Sequence, residues 1–252
     1  MRARAEQNAD VDELHRALLA AGERMERQRA TLSEQQPDET LLLAVLRRSV
    51  PVKLLECLAA SPPWSEAPRV LAGIVLNPKA PRTLALRLLS SLYWRDLAEA
   101  ARSVRLSAAI RLRAEALLAE QLADLRLGDR ITLGRLATPA VLRLLLAEGE
   151  PRVARASLAN PRLRESDLVP ALQKDTTPVA LIREVAASKR WSESYAVRLA
   201  LALQPRTPLG VALAQLTSLL PADLRRIAET EGLLPLVQAS ALRVVRDQNP
   251  RP

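Results

Sequence analysis

Displaced by 127 positions, the chain matches itself without a gap: residues 10–121 run against 137–248, and 32 of the 112 aligned positions are identical. The identities come in clusters. Arg16, Leu18, Leu19, Ala20, Gly22 and Glu23 stand over Arg143, Leu145, Leu146, Ala147, Gly149 and Glu150, and Pro51 and Val52 over Pro178 and Val179. Trp64, Ser65 and Glu66 stand over Trp191, Ser192 and Glu193, Pro78 and Pro81 over Pro205 and Pro208, and Asp96 and Leu97 over Asp223 and Leu224. A chain rich in Leu, Ala and Arg matches itself by chance at roughly one position in ten, so internal duplication is the economical reading. It predicts a charged, frayed leader over residues 1–9, related halves over 10–121 and 137–252, and a joint over 122–136, all in one continuous body.

The composition decides what the halves are made of. Phe is absent and aromatics make up only 2% of a chain that is 48% apolar, so Leu, Ala and Val must fill the core. That palette favours helices. With seven Gly in 252 residues and no Asn-Gly or Asp-Gly pair, nothing signals a hairpin, and the fold class expected is all-α.

The helix punctuation is carried by proline. Asp10 and Glu13 have the form of a capping box ahead of Val11, Leu14, Leu18 and Leu19, which recur at helical spacing, so a helix is expected to start there. Asp38 is the expected N-cap of the helix that follows SEQQPDE. From Pro51 onward, Pro at the first helical position marks the starts, with Thr before it as N-cap in Thr138-Pro139, Thr177-Pro178 and Thr207-Pro208. Asn77-Pro78, Asn160-Pro161 and Gln204-Pro205 end one helix and prepare the next, because the residue before Pro avoids the α region. About seven short helices per half result, those of the second starting near Thr138, Pro151, Glu165, Thr177, Ser192, Thr207 and Pro221–Leu233.

The corner also recurs at shorter spacing, 44 residues from Asn160 to Gln204 and 45 from Gln204 to Asn249. VARASLANPRLR, VRLALALQPRTP and LRVVRDQNPRP are its three copies. It resembles the leucine-rich-variant and HEAT-like helical repeats, whose units have the form V-R-x-A-x-A-x-N-P-x-T-P before a Leu-rich helix. The resemblance implies an α-solenoid, a right-handed superhelix of paired helices, and specifies fold far better than function. Helices such as SYAVRLALAL, apolar over most of their circumference, need cover on two sides, as a stack provides.

For catalysis the inventory is poor. One Cys and one His cannot assemble a four-ligand zinc or iron–sulfur site, and no Gly-rich phosphate loop, G-x-S-x-G or H-E-x-x-H is present. Cys57 reads as a small buried hydrophobe and His15 as structural or solvated. Tyr93, Trp94, Arg95 and Asp96 superficially suit a helical-repeat DNA glycosylase, but Asp96 aligns with Asp223 as a helix N-terminal acid. No enzyme, metal, cofactor or small-molecule substrate is expected. No window is long and apolar enough for a signal peptide or membrane span, so the expected location is the cytoplasm.

What remains is binding. The formal charge is +9, yet only four of the basic residues are Lys, a skew that a GC-rich genome also produces. Arg152, Arg155, Arg162 and Arg164 surround one turn, and Lys189 and Arg190 precede Trp191 where the first half has Pro62 and Pro63. Trp64 and Trp191 either cap the core, with Nε1-H bonded to a carbonyl, or anchor a partner. The Arg turn is either a solvated face or a binding surface. The candidate partner-binding residues are therefore Trp64, Trp191, Lys189, Arg190, Arg152, Arg155, Arg162 and Arg164. A protein is the first choice of partner, and nucleic acid, bound through its backbone, the alternative, because few aromatics serve single-strand stacking.

Overall fold

Leu and Ala runs bounded by prolines leave the chain few options besides short helices packed on short helices. The computed structural model describes residues 2–248, with side chains from residue 9 onward, and among these every regular element is helical. The chain divides into two compact units at Gln121/Leu122. The first holds α1 (Arg2–Ala21), α2 (Met25–Gln35), α3 (Glu39–Leu46), α4 (Val52–Ala60), α5 (Pro68–Leu76), α6 (Arg82–Leu88), α7 (Trp94–Arg102) and α8 (Ala108–Gln121). The second holds α9 (Leu127–Leu136), α10 (Pro139–Ala147), α11 (Pro151–Leu158), α12 (Glu165–Leu172), α13 (Val179–Ala187) and α14 (Lys189–Ser192). It ends with α15 (Tyr195–Leu203), α16 (Leu209–Leu216), α17 (Pro221–Glu229) and α18 (Pro235–Gln248).

Adding 127 to both ends of α4, α5, α7 and α8 gives the bounds of α13, α15, α17 and α18. Several packing partners follow the same rule. In the first unit α1 meets α2 and α3, α2 meets α4, α3 meets α5, and α5 meets α6 and α7. In the second, α10 meets α11 and α12, α11 meets α13, α12 meets α15, and α15 meets α16 and α17. The C-terminal helix of each unit, α8 or α18, lies against the two before it. Gly22 and Gly149, one shift apart, both take positive φ, 63° and 81°, at the ends of α1 and α10.

Three buried amides hold the corners. Asn160 Nδ2 donates to the carbonyls of Gly134 (2.9 Å) and Ala137 (3.1 Å), and its Oδ1 accepts from Arg162 N (2.8 Å). Asn77 makes the same three bonds with Leu46, Arg48 and Lys79, and Gln204 with Leu172, Lys174 and Arg206. Each amide thus serves stranded carbonyls at the end of an earlier helix while turning its own chain. The Asn249 copy of the corner lies outside the described residues.

Several sequence expectations are corrected. The first helix starts at Arg2, not at Asp10, because residues 2–9 contain no breaker and are rich in Ala, Arg, Glu and Gln. Residues 122–136, expected as a joint, contain α9, which packs on α10 and α11. The helix expected at Ser192 begins at Tyr195, with the Ser194 hydroxyl accepting from Val197 N. Pro139, Pro151 and Pro221 enter the first turn, but Pro51, Pro81, Pro178 and Pro208 sit one step earlier, at N-cap, with ψ of 134–143°. There the Pro carbonyl accepts the first helical bond, as from Ala85 N to Pro81 O at 2.9 Å. Thr177 consequently caps nothing; its hydroxyl turns back to the carbonyls of Ala171 and Lys174.

Candidate partner-binding site

The corner after α11 gathers most of the residues singled out from the sequence. Trp191 lies on the four-residue α14 and is only 4% exposed. Its Nε1-H donates to the carbonyl of Leu158, the last residue of α11, at 3.0 Å. The Arg190 guanidinium lies 4.3 Å from the indole centroid and donates to the carbonyls of Asn160 (3.0 Å) and Leu163 (2.9 Å). A planar fork of donors suits this dual role of stacking and bonding. Of the two readings open for Trp191, the structure gives the core cap: the indole is already covered.

Arg155, on α11, reaches Glu184 of α13 through two bonds of 2.8 Å each. This fork-to-carboxylate pair ties two neighbouring helices and uses most of the charge that Arg155 would present. Arg152, Arg162, Arg164 and Lys189 are exposed, and their side chains form no ion pair or hydrogen bond among the described residues. Of the six cations named from the sequence, four remain uncommitted. Charge counting along the chain has no means of making that division.

The corresponding place in the first unit is built differently. Trp64 is half-buried in a 3-10 turn, Trp64–Glu66, and its Nε1-H has no hydrogen-bond acceptor among the described residues. The residue one shift back from Leu158 is Thr31, inside α2 rather than at its end. Its carbonyl belongs to the helix ladder and is not one of the stranded carbonyls of a helix end. Pro63 occupies the position of Arg190 and has no polar side chain to lay across the ring. The result is an open cleft of about 540 Å³ between α2 and the turn, lined by Arg29, Leu32, Pro37, Cys57, Pro62 and Trp64 among others.

A second cavity, of about 300 Å³, lies in the second unit among α10, α12 and the start of α13. Arg143, Leu146, Pro170, Lys174 and Leu181 contribute to its wall. No motif announces it. The usable signal is Pro170, inside α12, where the first half has the bulkier Leu43.

The residues weighed for chemistry are placed as follows. His15 Nε2 lies 2.9 Å from the Ser49 carbonyl, which makes the imidazole the donor. Asp96 is in the first turn of α7, its carboxyl pushed above the ordinary aspartate value by burial and by Glu99, with Arg69 opposing. Its equivalent, Asp223, accepts a hydrogen bond from the Tyr195 hydroxyl. Cys57 is buried. Among the described residues no three His, Cys, Asp or Glu are grouped as metal ligands, and no helix is long and apolar enough to cross a membrane. Comparison with protein families, with curated proteins and with solved structures found no match to this chain.

Proposed function

We propose that the chain is a non-catalytic helical-repeat scaffold, an α-solenoid of two duplicated halves similar to leucine-rich-variant and HEAT-like repeats, which binds a protein partner in the cytoplasm. The duplication is supported by helix bounds and packing partners that recur after 127 residues, and the repeat by the amide-held corners. Each unit offers its own candidate surface, the Trp64 cleft in the first and the Arg-rich corner after α11 in the second.

One observation favours a protein over a phosphate backbone. At the densest basic corner, Arg155 is paired with Glu184 and the Arg190 donors are taken by two backbone carbonyls, so two of the six cations hold the fold together and are not turned to reading phosphates. An arginine on the wall of an apolar cleft, as Arg29 is beside Trp64, suits the mixed polar and apolar character of protein interfaces.

The test is affinity capture with the full chain from nuclease-treated host extract, run beside a variant with Arg152, Arg162, Arg164 and Lys189 changed to Ala. The reading expects a discrete protein retained by the parent and lost from the variant. Retention of nucleic acid alone, abolished by the nuclease, would sink it in favour of the backbone-binding alternative.

A further inference from the structure

We propose that the cleft beside Trp64 is a docking site for an acidic peptide segment of a protein partner, an apolar side chain lying on the indole and the adjacent carboxylate held by Arg29 and the Trp64 Nε1-H. The proposal rests on the reading of the chain as a protein-binding scaffold and names the chemistry of what is bound.

The second unit shows what a closed version of this place looks like. There, the indole N-H has an acceptor in Leu158 O, the ring face is covered by Arg190, and Arg190 is fixed by two carbonyls. In the first unit all three interactions are missing at once. The extra turn of α2 removes the terminal carbonyl, Pro63 replaces the covering guanidinium, and the indole stays half-exposed over a cleft. A Trp retained in both halves but sealed in only one leaves the unsealed copy half-buried on the wall of a cleft, with an unused donor. Both are features of interface anchors.

The lining selects the occupant. Leu32, Pro37, Pro62 and the Trp64 ring offer an apolar wall, so the occupant carries an aliphatic or prolyl group. Arg29 shares the wall and has no counter-ion or hydrogen bond among the described residues, while the indole N-H lacks an acceptor. One cation and one further donor beside an apolar surface call for an anionic acceptor, and Arg29 repels a basic segment. A carboxylate one residue from an apolar side chain satisfies both, and a volume of about 540 Å³ accommodates a short stretch of peptide.

The experiment uses the full chain labelled with 5-fluorotryptophan. Its three Trp resonances are assigned through Trp64→Phe and Trp191→Phe, and the probe is the acetylated tripeptide amide Leu-Pro-Glu. The Trp64 line is expected to shift saturably in the low-millimolar range, about what one anchored side chain supports, while the Trp191 line stays still. Replacing Glu by Gln in the probe should weaken binding roughly fivefold, and Arg29→Gln should bring the Glu probe down to the level of the Gln probe. A Trp64 line that does not respond, or that responds equally to the Glu and Gln probes, overturns the proposal. A silent cleft in a chain that still captures a protein through Arg152 and Arg164 would remove this site and leave the scaffold reading standing. A responsive cleft with no captured protein would do the reverse.

Discussion

A single amide group at each corner meets three backbone partners, which makes Asn77, Asn160 and Gln204 the residues on which the local geometry depends most. Asn160→Ala leaves two buried carbonyls and one part-buried N-H without this partner, and its cost is expected to be about 2–4 kcal/mol in urea unfolding. Ser33→Ala, at the exposed equivalent position of the first unit, should change stability by less than about 0.5 kcal/mol. The two tryptophans should separate as well. Trp191→Phe removes a buried hydrogen bond and weakens the stacking of the Arg190 guanidinium and should cost about 1–2 kcal/mol, whereas Trp64→Phe should cost under about 0.5. Equal losses would contradict the assignment of one sealed and one open indole. Asp96 supplies the pH dependence. Its folded value is raised above the ordinary 3.8, so the folded state favours the protonated carboxyl, and the charged form costs stability once pH exceeds the folded value. Asp96→Asn should therefore raise Tm at neutral pH, and the gain should fade as pH falls to 3.8 and below. The paired Trp positions and the Asn-Pro and Gln-Pro corners were legible in the sequence. The bonding of Asn160 back to Gly134 and Ala137 was not, because no local pattern marks a partner more than twenty residues away.

At the scale of elements, short helices must pack closely enough to make up for their length. The approach of α9 to α11 is an instance. A Cβ at Gly134 would lie 2.8 Å from Ser157 Oγ and 3.2 Å from Ser157 N. Gly134→Ala is thus expected to destabilise by about 1–3 kcal/mol despite alanine's better helix propensity. Adding Ser157→Ala should recover part of the loss, since it removes the nearer of the two atoms; no recovery in a double-mutant cycle would place the clash elsewhere. The helix starts after Thr138, Glu150 and Leu220 were readable from Pro alone. The N-cap placement of Pro51, Pro81, Pro178 and Pro208 was not, because Pro's fixed φ suits both positions and only ψ separates them. The start of α1 was misread for a related reason: Asp10 and Glu13 imitate a cap inside a stretch that has no cause to stop being helical.

At the scale of the molecule, the chain forms two compact units, and several helix-to-helix contacts of the first recur 127 residues on in the second, the offset at which the sequence matches itself. Function was less legible, because runs of arginine do not tell which guanidinium is occupied. The claim that the uncommitted cations serve a protein partner and not a phosphate backbone is tested most directly by duplex DNA binding followed by fluorescence anisotropy as salt is raised. Backbone binding loses log affinity with log salt at about 0.9 per phosphate contacted. The scaffold reading predicts weak DNA binding near physiological salt and a slope that barely changes when Arg152, Arg162, Arg164 and Lys189 become Ala. Tight DNA binding with a steep slope, flattened by about three units in that variant, would contradict it.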